Sequence, residues 1–553
     1  MIKTKLEPIC TVAETSITDH ESVGIFLDIN NKIDYSKQPN KTIDFVGLDR
    51  AVQGLNFDPI FKCSDVNVAA ALLNSCLNRV VEENTKIVTV SRRKKIYKPW
   101  ITIGLLRCMR NRDNLHKKVR KDPDNEILKT IYKRYRNFCN SILKKQKRKY
   151  ESQEIENAKH NKRKLWEIIR SVGGSARNID YSLGLIKPDN PKKSVDDVNI
   201  FYANVGKRLA EKIDLNISNI SHNSGCAGPT KSFVLLNTDE KEIEQLILGL
   251  KNNCSAGIDQ ISGTIVKRYM HAIIPPLTYI CNLAIASGVF PLVFKIALIK
   301  PVHKSGDRDC VDNFRPISIL PTLSKVLERL LNKRLIHFLE KNFLLSSSQF
   351  GFRSGRSTDE AVHELTNSVV TNLDEGKKCL TIFLDLAWAF DTVSIPLLVE
   401  KLERIGIRGL PLKLFKDYLS NRKQRVKIDE WISDEIDICF GVPQGSILGP
   451  TLFLVYINEL CEIQLKNGRI LTFADDTALF FSGDDWESVF QSAQQGFDKL
   501  DGMKKCRCAI DLQMEVKDFS LGPMSELVNV PYLLYVDILL LRAREYLNIF
   551  RLQ

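Results

Sequence analysis

The period of hydrophobic and polar positions changes several times along the chain, and each change predicts an element. Apolar residues recur at helical spacing in VNVAAALLNSCLNRVVEE (66–83) and in IPLLVEKLERIGI (395–407), where Gly406 supplies a stop. TLFLVYINEL, following Gly449-Pro450, predicts a further helix. TIFLDLAWAF (381–390) is instead a β-rich run ending in a turn, and RVKID and DICFGV are strand candidates. RILTFADDTALFF (469–481) reads as two short strands meeting near an aspartate pair. Strands and helices mixed in this way over 236–505, with a hairpin among them, predict an α+β sheet with helices on one face. Residues 1–30 carry one strand-like run, SITDHESVGIFLDI. Residues 31–170 read as a helical linker region. The stretch 171–235, rich in Gly, Ser, Asn and Pro, reads as loop.

Charge sharpens this outline. The formal charge is +14, but residues 91–170 alone hold 26 Lys and Arg against 8 Asp and Glu. That block is +18 and the remaining chain is −4. Its aromatics, Tyr97, Trp100, Tyr132, Tyr135, Phe138, Tyr150 and Trp166, are interleaved with the cations. A concentrated basic surface points to a polyanion such as RNA, although a solvated helical pair with inward aromatics has the same pattern. The 14 cysteines are scattered and form no CxxC pair, and MIKTKLEPIC lacks the apolar core of a signal peptide. The expectation is an intracellular protein, nuclear or cytoplasmic and not secreted. PYLLYVDILLL is too short to span a bilayer and is interrupted by Asp537, so no membrane association is expected.

Candidate chemistry centres on Asp475 and Asp476. Adjacent carboxylates between apolar flanks repel one another unless they are exposed or a cation holds them. Asp385 ends another apolar run ninety residues earlier and can converge on the same point. Three carboxylates with no His or Cys nearby favour Mg²⁺, with Mn²⁺ possible. Two such ions about 4 Å apart can activate an attacking hydroxyl and stabilise a leaving oxygen in phosphoryl transfer. An Asp-Asp pair is also a common turn dipeptide, and Asp391 is a candidate helix N-cap. GVPQGSILGP (441–450), lying between the two acidic motifs, changes the balance because its turn leads into a helix N-terminus.

The order FLDLxxAFD, GVPQGSxLGP, FADD resembles the polymerase core of reverse transcriptases from non-LTR (LINE-type) retrotransposons, the jockey group most of all. ASGVFPLVFKIALIKPVHKSGD, NFRPISILPTLSKVLERLLNKRL and LLSSSQFGFRSGRSTDEAV resemble the same family's fingers. The resemblance implies a right-hand polymerase with fingers and a ferredoxin-like palm over 236–505. It implies an RNA template, a DNA primer and dNTPs as partners. Asp385, Asp475 and Asp476 would be catalytic and hold the metals. Phe390 falls where the family's steric gate excludes a ribose 2′-OH, and Gln444 would lie against the incoming nucleotide. Arg315, with Lys300 or Lys304, resembles the clamp on the triphosphate. Gln349, Arg353 and Arg356 would approach the template backbone, with Ser357 or Thr358 capping the next helix. The family usually has a polar pair such as Ser-Lys where this chain has Ala387-Trp388, and a bulky Trp388 is expected to crowd the nucleotide pocket.

The flanks carry weaker resemblances. Thr18-Asp19-His20 is similar to the closing signature of the family's endonuclease, implying a remnant over 1–30 without nuclease activity. KPWITIGLL within the basic block resembles the linker between endonuclease and polymerase. Residues 506–553 do not match the family, so the thumb is expected to be missing, and Lys517 is a degenerate candidate for a lysine near the nucleotide. A frameshift or mispredicted exon would account for this divergence. The alternative to an RNA-directed DNA polymerase is a catalytically defective fragment that still binds RNA.

Overall fold

The computed structural model describes residues 9–13, 22–26, 40–88, 98–159, 161–172, 181–212, 231–251, 255–384, 386, 388–506 and 517–521. It divides into two units, Met1–Asp44 with Thr85–Gly173, and Phe45–Asn84 with Gly174–Gln553.

In the first unit β1 (Ile9–Ala13) pairs antiparallel with β2 (Ser22–Phe26), and β3 (Asn40–Ile43) with β4 (Thr85–Val88). Thr18-Asp19-His20 lies outside the described residues. The basic block forms two helices, Ile103–Lys121 and Glu126–Asn157, which pack on each other. Thr102 and Asn125 cap them by accepting from the Leu105 and Leu128 N–H groups. Only Cys139 is buried along the second helix, so this is a solvated, cation-covered pair. Its aromatics divide between packed and exposed positions. His116 stacks on Tyr132 with ring centroids 5.1 Å apart, whereas Phe138 is exposed. Trp166, on the following Lys162–Val172 helix, is exposed as well.

The second unit holds β5 (Ile296–His303), β6 (Phe314–Ile319), β7 (Lys378–Leu384), β8 (Arg422–Ile428), β9 (Trp431–Ile432), β10 (Ile436–Ile438), β11 (Gly468–Phe473), β12 (Asp476–Gly483) and β13 (Lys517–Leu521). One sheet runs β10-β8-β5-β6 with β9 beside β8; its β5–β8 pair is parallel and the others antiparallel. The other runs β11-β12-β7-β13, antiparallel throughout. The fold class is thus mixed α+β. Helices Thr358–Asp374 and Trp486–Cys506 pack on the second sheet, and Thr477 to Phe481 of β12 are all buried.

Three elements depart from the sequence expectation. Helix Leu448–Cys461 starts ahead of Pro450, which occupies the first turn, where a missing N–H breaks no intrahelical bond. The DICFGV strand stops at Ile438, because Gly441 N–H donates to Val393 C=O and Val442 N–H to Phe390 C=O, both across a loop. The 171–235 stretch contains a helix of 22 residues, Pro191–Lys212. Val195, Val198, Tyr202 and Val205 are buried along it at near-helical spacing. The first three pack on Ala297, Ile299, Phe314 and Val426 of the first sheet.

Residues 45–84, assigned with the linker from sequence, pack with the polymerase-like segment. Helix Val66–Glu83 buries Val66, Ala69, Ala70, Leu73, Leu77, Val80 and Val81, and it packs against helix Met270–Ser287. Asp49 pairs with Arg268 and Tyr269, and Tyr279 Oη donates to Cys63 C=O at 2.8 Å. Helix 270–287 is long and apolar enough to cross a membrane, yet here it is a core helix with Ile273, Leu277, Ile280 and Ala284 fully buried.

Candidate active site

The aspartate pair sits where β11 turns into β12. Phe473 and Asp476 are the closing pair, and Ala474-Asp475 form the two-residue turn. Ala474 adopts φ 57°, a left-handed conformation that costs an L-residue about 1–2 kcal/mol. Asp475 and Asp476 are half-buried. Thr477, next to Asp476, pairs with Leu384, so the end of β7 and the aspartate turn share one end of the sheet. Asp385 follows Leu384 in sequence but lies outside the described residues, as does Ala387. Among the described residues no group of three His, Cys, Asp or Glu is disposed to hold a metal ion. The two described carboxylates, adjacent, partly exposed and oxygen-only, fit part of the donor set of a hard divalent cation.

Phe390 is fixed from two sides. Its ring stacks on Phe453 (centroids 4.7 Å apart, 17° between planes) and meets Phe352 edge-on at 6.1 Å. Phe453 comes from the buried Leu448–Cys461 helix, so the half-buried Phe390 ring is backed by a core side chain. Trp388, with φ 52°, packs on Phe201 and Tyr202 of the 191–212 helix (centroids 6.2 and 6.3 Å away). These contacts hold the Trp388 ring against the 191–212 helix.

Gln444 donates from Nε2 to Asp391 Oδ2 at 2.7 Å, and its carbonyl accepts from the Ser318 N–H of β6 at 2.6 Å. Asp391 is therefore no N-cap; Ser394 precedes the next helix. Burial pushes the Asp391 carboxyl up to about 7, although the Gln444 bond pulls the other way. Ser318, Asp391, Gln444 and the buried Tyr202 and Arg422 line one small cavity of about 40 Å³. The turn after Gln444 is tied down by Glu328, fully buried on helix Thr322–Lys341. Its Oε2 accepts from the Ile447 N–H at 2.6 Å and from the Leu448 N–H at 3.4 Å.

The cationic candidates divide. Lys300 on β5 and Arg315 on β6 lie on the same exposed face, since Lys300 pairs with Ile317 and Val302 with Arg315. Lys304 is exposed just beyond β5, where its N–H donates to Asn313 C=O. Arg353 is engaged internally instead: its guanidinium makes two bonds to Glu340 (2.9 and 2.6 Å) and one to Ser346 C=O. Arg356 lies over the Phe350 ring and pairs with Glu360, and Ser357 is the N-cap. Gln349, expected at the template, is 2% exposed and faces the aspartate turn. Sequence reasoning missed Glu328 and the roles of Asp391 and Gln349, because each is defined by a partner far along the chain.

Residues 302–504 match the reverse transcriptase (RNA-dependent DNA polymerase) family. The chain is 33% identical over 248 residues to the probable RNA-directed DNA polymerase from transposon X-element of Drosophila melanogaster. That alignment covers 43% of this chain and 27% of the relative. It is 34% identical over 249 residues to the corresponding protein of transposon BS (44% and 27% covered). Against the RNA-directed DNA polymerase from mobile element jockey it is 33% identical over 246 residues (43% and 27% covered); both proteins are from the same fly. The chain thus spans 27% of the length of these curated relatives. The family match thus lies over residues 302–504, and the aligned relatives are RNA-directed DNA polymerases of mobile elements.

Proposed function

We propose that this chain adds dNTPs to a DNA primer 3′-OH on an RNA template, as the polymerase of a non-LTR retrotransposon. The observation that carries the reading is the aspartate turn beside the end of β7, with Phe390 stacked nearby on Phe453. In this reading the sheet β11-β12-β7-β13 is the palm and the β5–β6 hairpin belongs to the fingers. Asp385, Asp475 and Asp476 would hold two divalent ions, which supply charge stabilisation for the attacking and leaving oxygens.

The remaining work falls to the chain's own side chains. Phe390 discriminates against a ribose 2′-OH, a role supported by its stacking on Phe453. Gln444, fixed by Asp391, orients the nucleotide against its template partner. Lys300 and Arg315, on one exposed strand face, and Lys304 attract the triphosphate, Arg315 with a fork suited to phosphate. Arg356 contacts a backbone phosphate; its partial exposure beside the start of helix 358–374 supports this. The basic helical pair 103–157 retains RNA through phosphate contacts. The reading includes an intracellular site of action and an endonuclease-derived origin for residues 1–30.

Primer extension on poly(rA)/oligo(dT) with Mg²⁺ and dTTP, beside D475N/D476N, tests this. Incorporation that the double substitution abolishes supports polymerase activity. Retention of RNA without incorporation replaces it with an RNA-binding role.

A further inference from the structure

Residues 348–351 run alongside the hairpin arm that leads into the aspartate turn. Thr472 N–H donates to Ser348 C=O at 2.9 Å, Phe350 N–H donates to Thr472 C=O at 2.8 Å, and Gln349 bridges Thr472 in parallel fashion. The Gln349 side chain then reaches past this ladder to the turn itself. Its Oε1 accepts from the Ala474 N–H at 2.9 Å and its Nε2 donates to the Ala474 C=O at 3.3 Å. The same Oε1 accepts from the Gly351 N–H at 2.7 Å, which fixes the amide's orientation. Gly351 lies so close that a Cβ there would stand 2.1 Å from the Ala474 nitrogen. One amide therefore satisfies both backbone groups of a buried, left-handed alanine that immediately precedes Asp475.

We infer that Gln349 is a positioning residue for the metal-holding carboxylates: it clamps Ala474 in its left-handed conformation and so sets the aim of Asp475 and Asp476. The inference rests on the proposed function for the carboxylates' role, while the clamp itself rests on geometry alone. A template contact would require an exposed amide, and this one has no outward-facing polar atom to offer. Gln349→Leu removes the clamp at similar volume. Ala474→Gly removes the need for it, because glycine takes positive φ without steric cost.

The test uses the full chain with three readouts: Mn²⁺ binding by electron paramagnetic resonance, peptide-level hydrogen exchange, and the Mg²⁺ and dTTP dependence of extension. In Gln349→Leu the peptide spanning 471–477 exchanges at least tenfold faster, while helix 322–341 exchanges as before. Mn²⁺ affinity and the Mg²⁺ half-saturation point worsen about tenfold, with the KM for dTTP within twofold. Adding Ala474→Gly recovers most of the Mn²⁺ affinity. Unchanged exchange at 471–477, or unchanged Mn²⁺ binding, overturns the inference. Faster exchange throughout the domain also overturns it, since Gln349 then supports the fold and not the turn. If the wild-type chain bound no Mn²⁺ and extended no primer, the proposed function would fail and the positioning role with it. The exchange difference would then survive only as a statement about the turn.

Discussion

Asp391 and Gln444 lie 53 residues apart in sequence and share a 2.7 Å hydrogen bond, with the amide nitrogen donating to the carboxyl. That bond engages the Gln444 amide nitrogen, and Oε1 is the side chain's acceptor. A hydrogen bond of this kind, with a charged or strongly polar partner, is worth about 1.5–3 kcal/mol. Asp391→Leu therefore raises the KM for dTTP about tenfold or more, with a smaller change in kcat. Asp391→Asn keeps an acceptor oxygen and stays within about threefold of wild type. Steady-state primer extension distinguishes the two, and an unchanged KM in Asp391→Leu would separate Gln444 positioning from nucleotide binding.

The same carboxyl makes stability depend on pH. Its folded value is about 7, raised by burial, against an unfolded value of about 4. The folded state thus binds the proton more tightly than the unfolded chain does. The stability this contributes is complete below about pH 4 and is lost as pH rises through about 7. Asp259, raised by burial to about 6, adds a loss of the same sign. Urea midpoints at pH 5 and pH 8 should fall between the two pH values in wild type, and fall less in Asp391→Asn. Parallel behaviour of the two proteins would show that Asp391 is already ionised when buried.

Phe390 stacks on Phe453, so under the proposed function sugar selection should be adjustable from the buried helix. Phe390→Val admits UTP in place of dTTP, lowering the discrimination ratio at least tenfold. Phe453→Ala removes a stacked partner worth about 0.5–1.5 kcal/mol and lowers the same ratio less, by about threefold to tenfold. Competition between UTP and dTTP on poly(rA)/oligo(dT) measures both. A Phe453→Ala protein that is destabilised but fully selective would show that Phe390 holds its place unaided.

What the sequence made legible was local. Helix 66–83, helix 395–404 and the 468–483 hairpin follow from periodicity and turn chemistry within single stretches. The aspartate pair was visible because its apolar flanks bracket it. Gln349, in contrast, takes its role from Ala474, 125 residues away, and Glu328 takes its role from Ile447, 119 residues away. No local pattern marks a glutamine as a clamp or a glutamate as a cap for a distant helix. The 191–212 helix was hidden for a different reason. Loop-like composition on both flanks outweighed its own period, and the sheet it packs on is assembled from strands 100 to 230 residues later.

Glu328 offers the sharpest separation between shape and charge. It is fully buried, and burial pushes its carboxyl up while bonds from Ile447, Ser324 and Leu448 and the charge of Arg422 oppose the rise. Its essential act is to accept hydrogen bonds at the start of the 448–461 helix, where the N–H groups have no intrahelical partner. Glu328→Gln retains an oxygen acceptor and removes the cost of a buried charge, so its stability stays within about 1 kcal/mol of wild type. Glu328→Leu leaves those amides and Ser324 without their acceptor, at about 1–3 kcal/mol for the first and more for the set. Because this helix carries Phe453, Glu328→Leu should also loosen dTTP-over-UTP selection, and Glu328→Gln should not. Denaturant midpoints with the competition assay decide it. A leucine variant as stable and selective as the glutamine variant would mean that the GVPQG turn holds the helix start without Glu328.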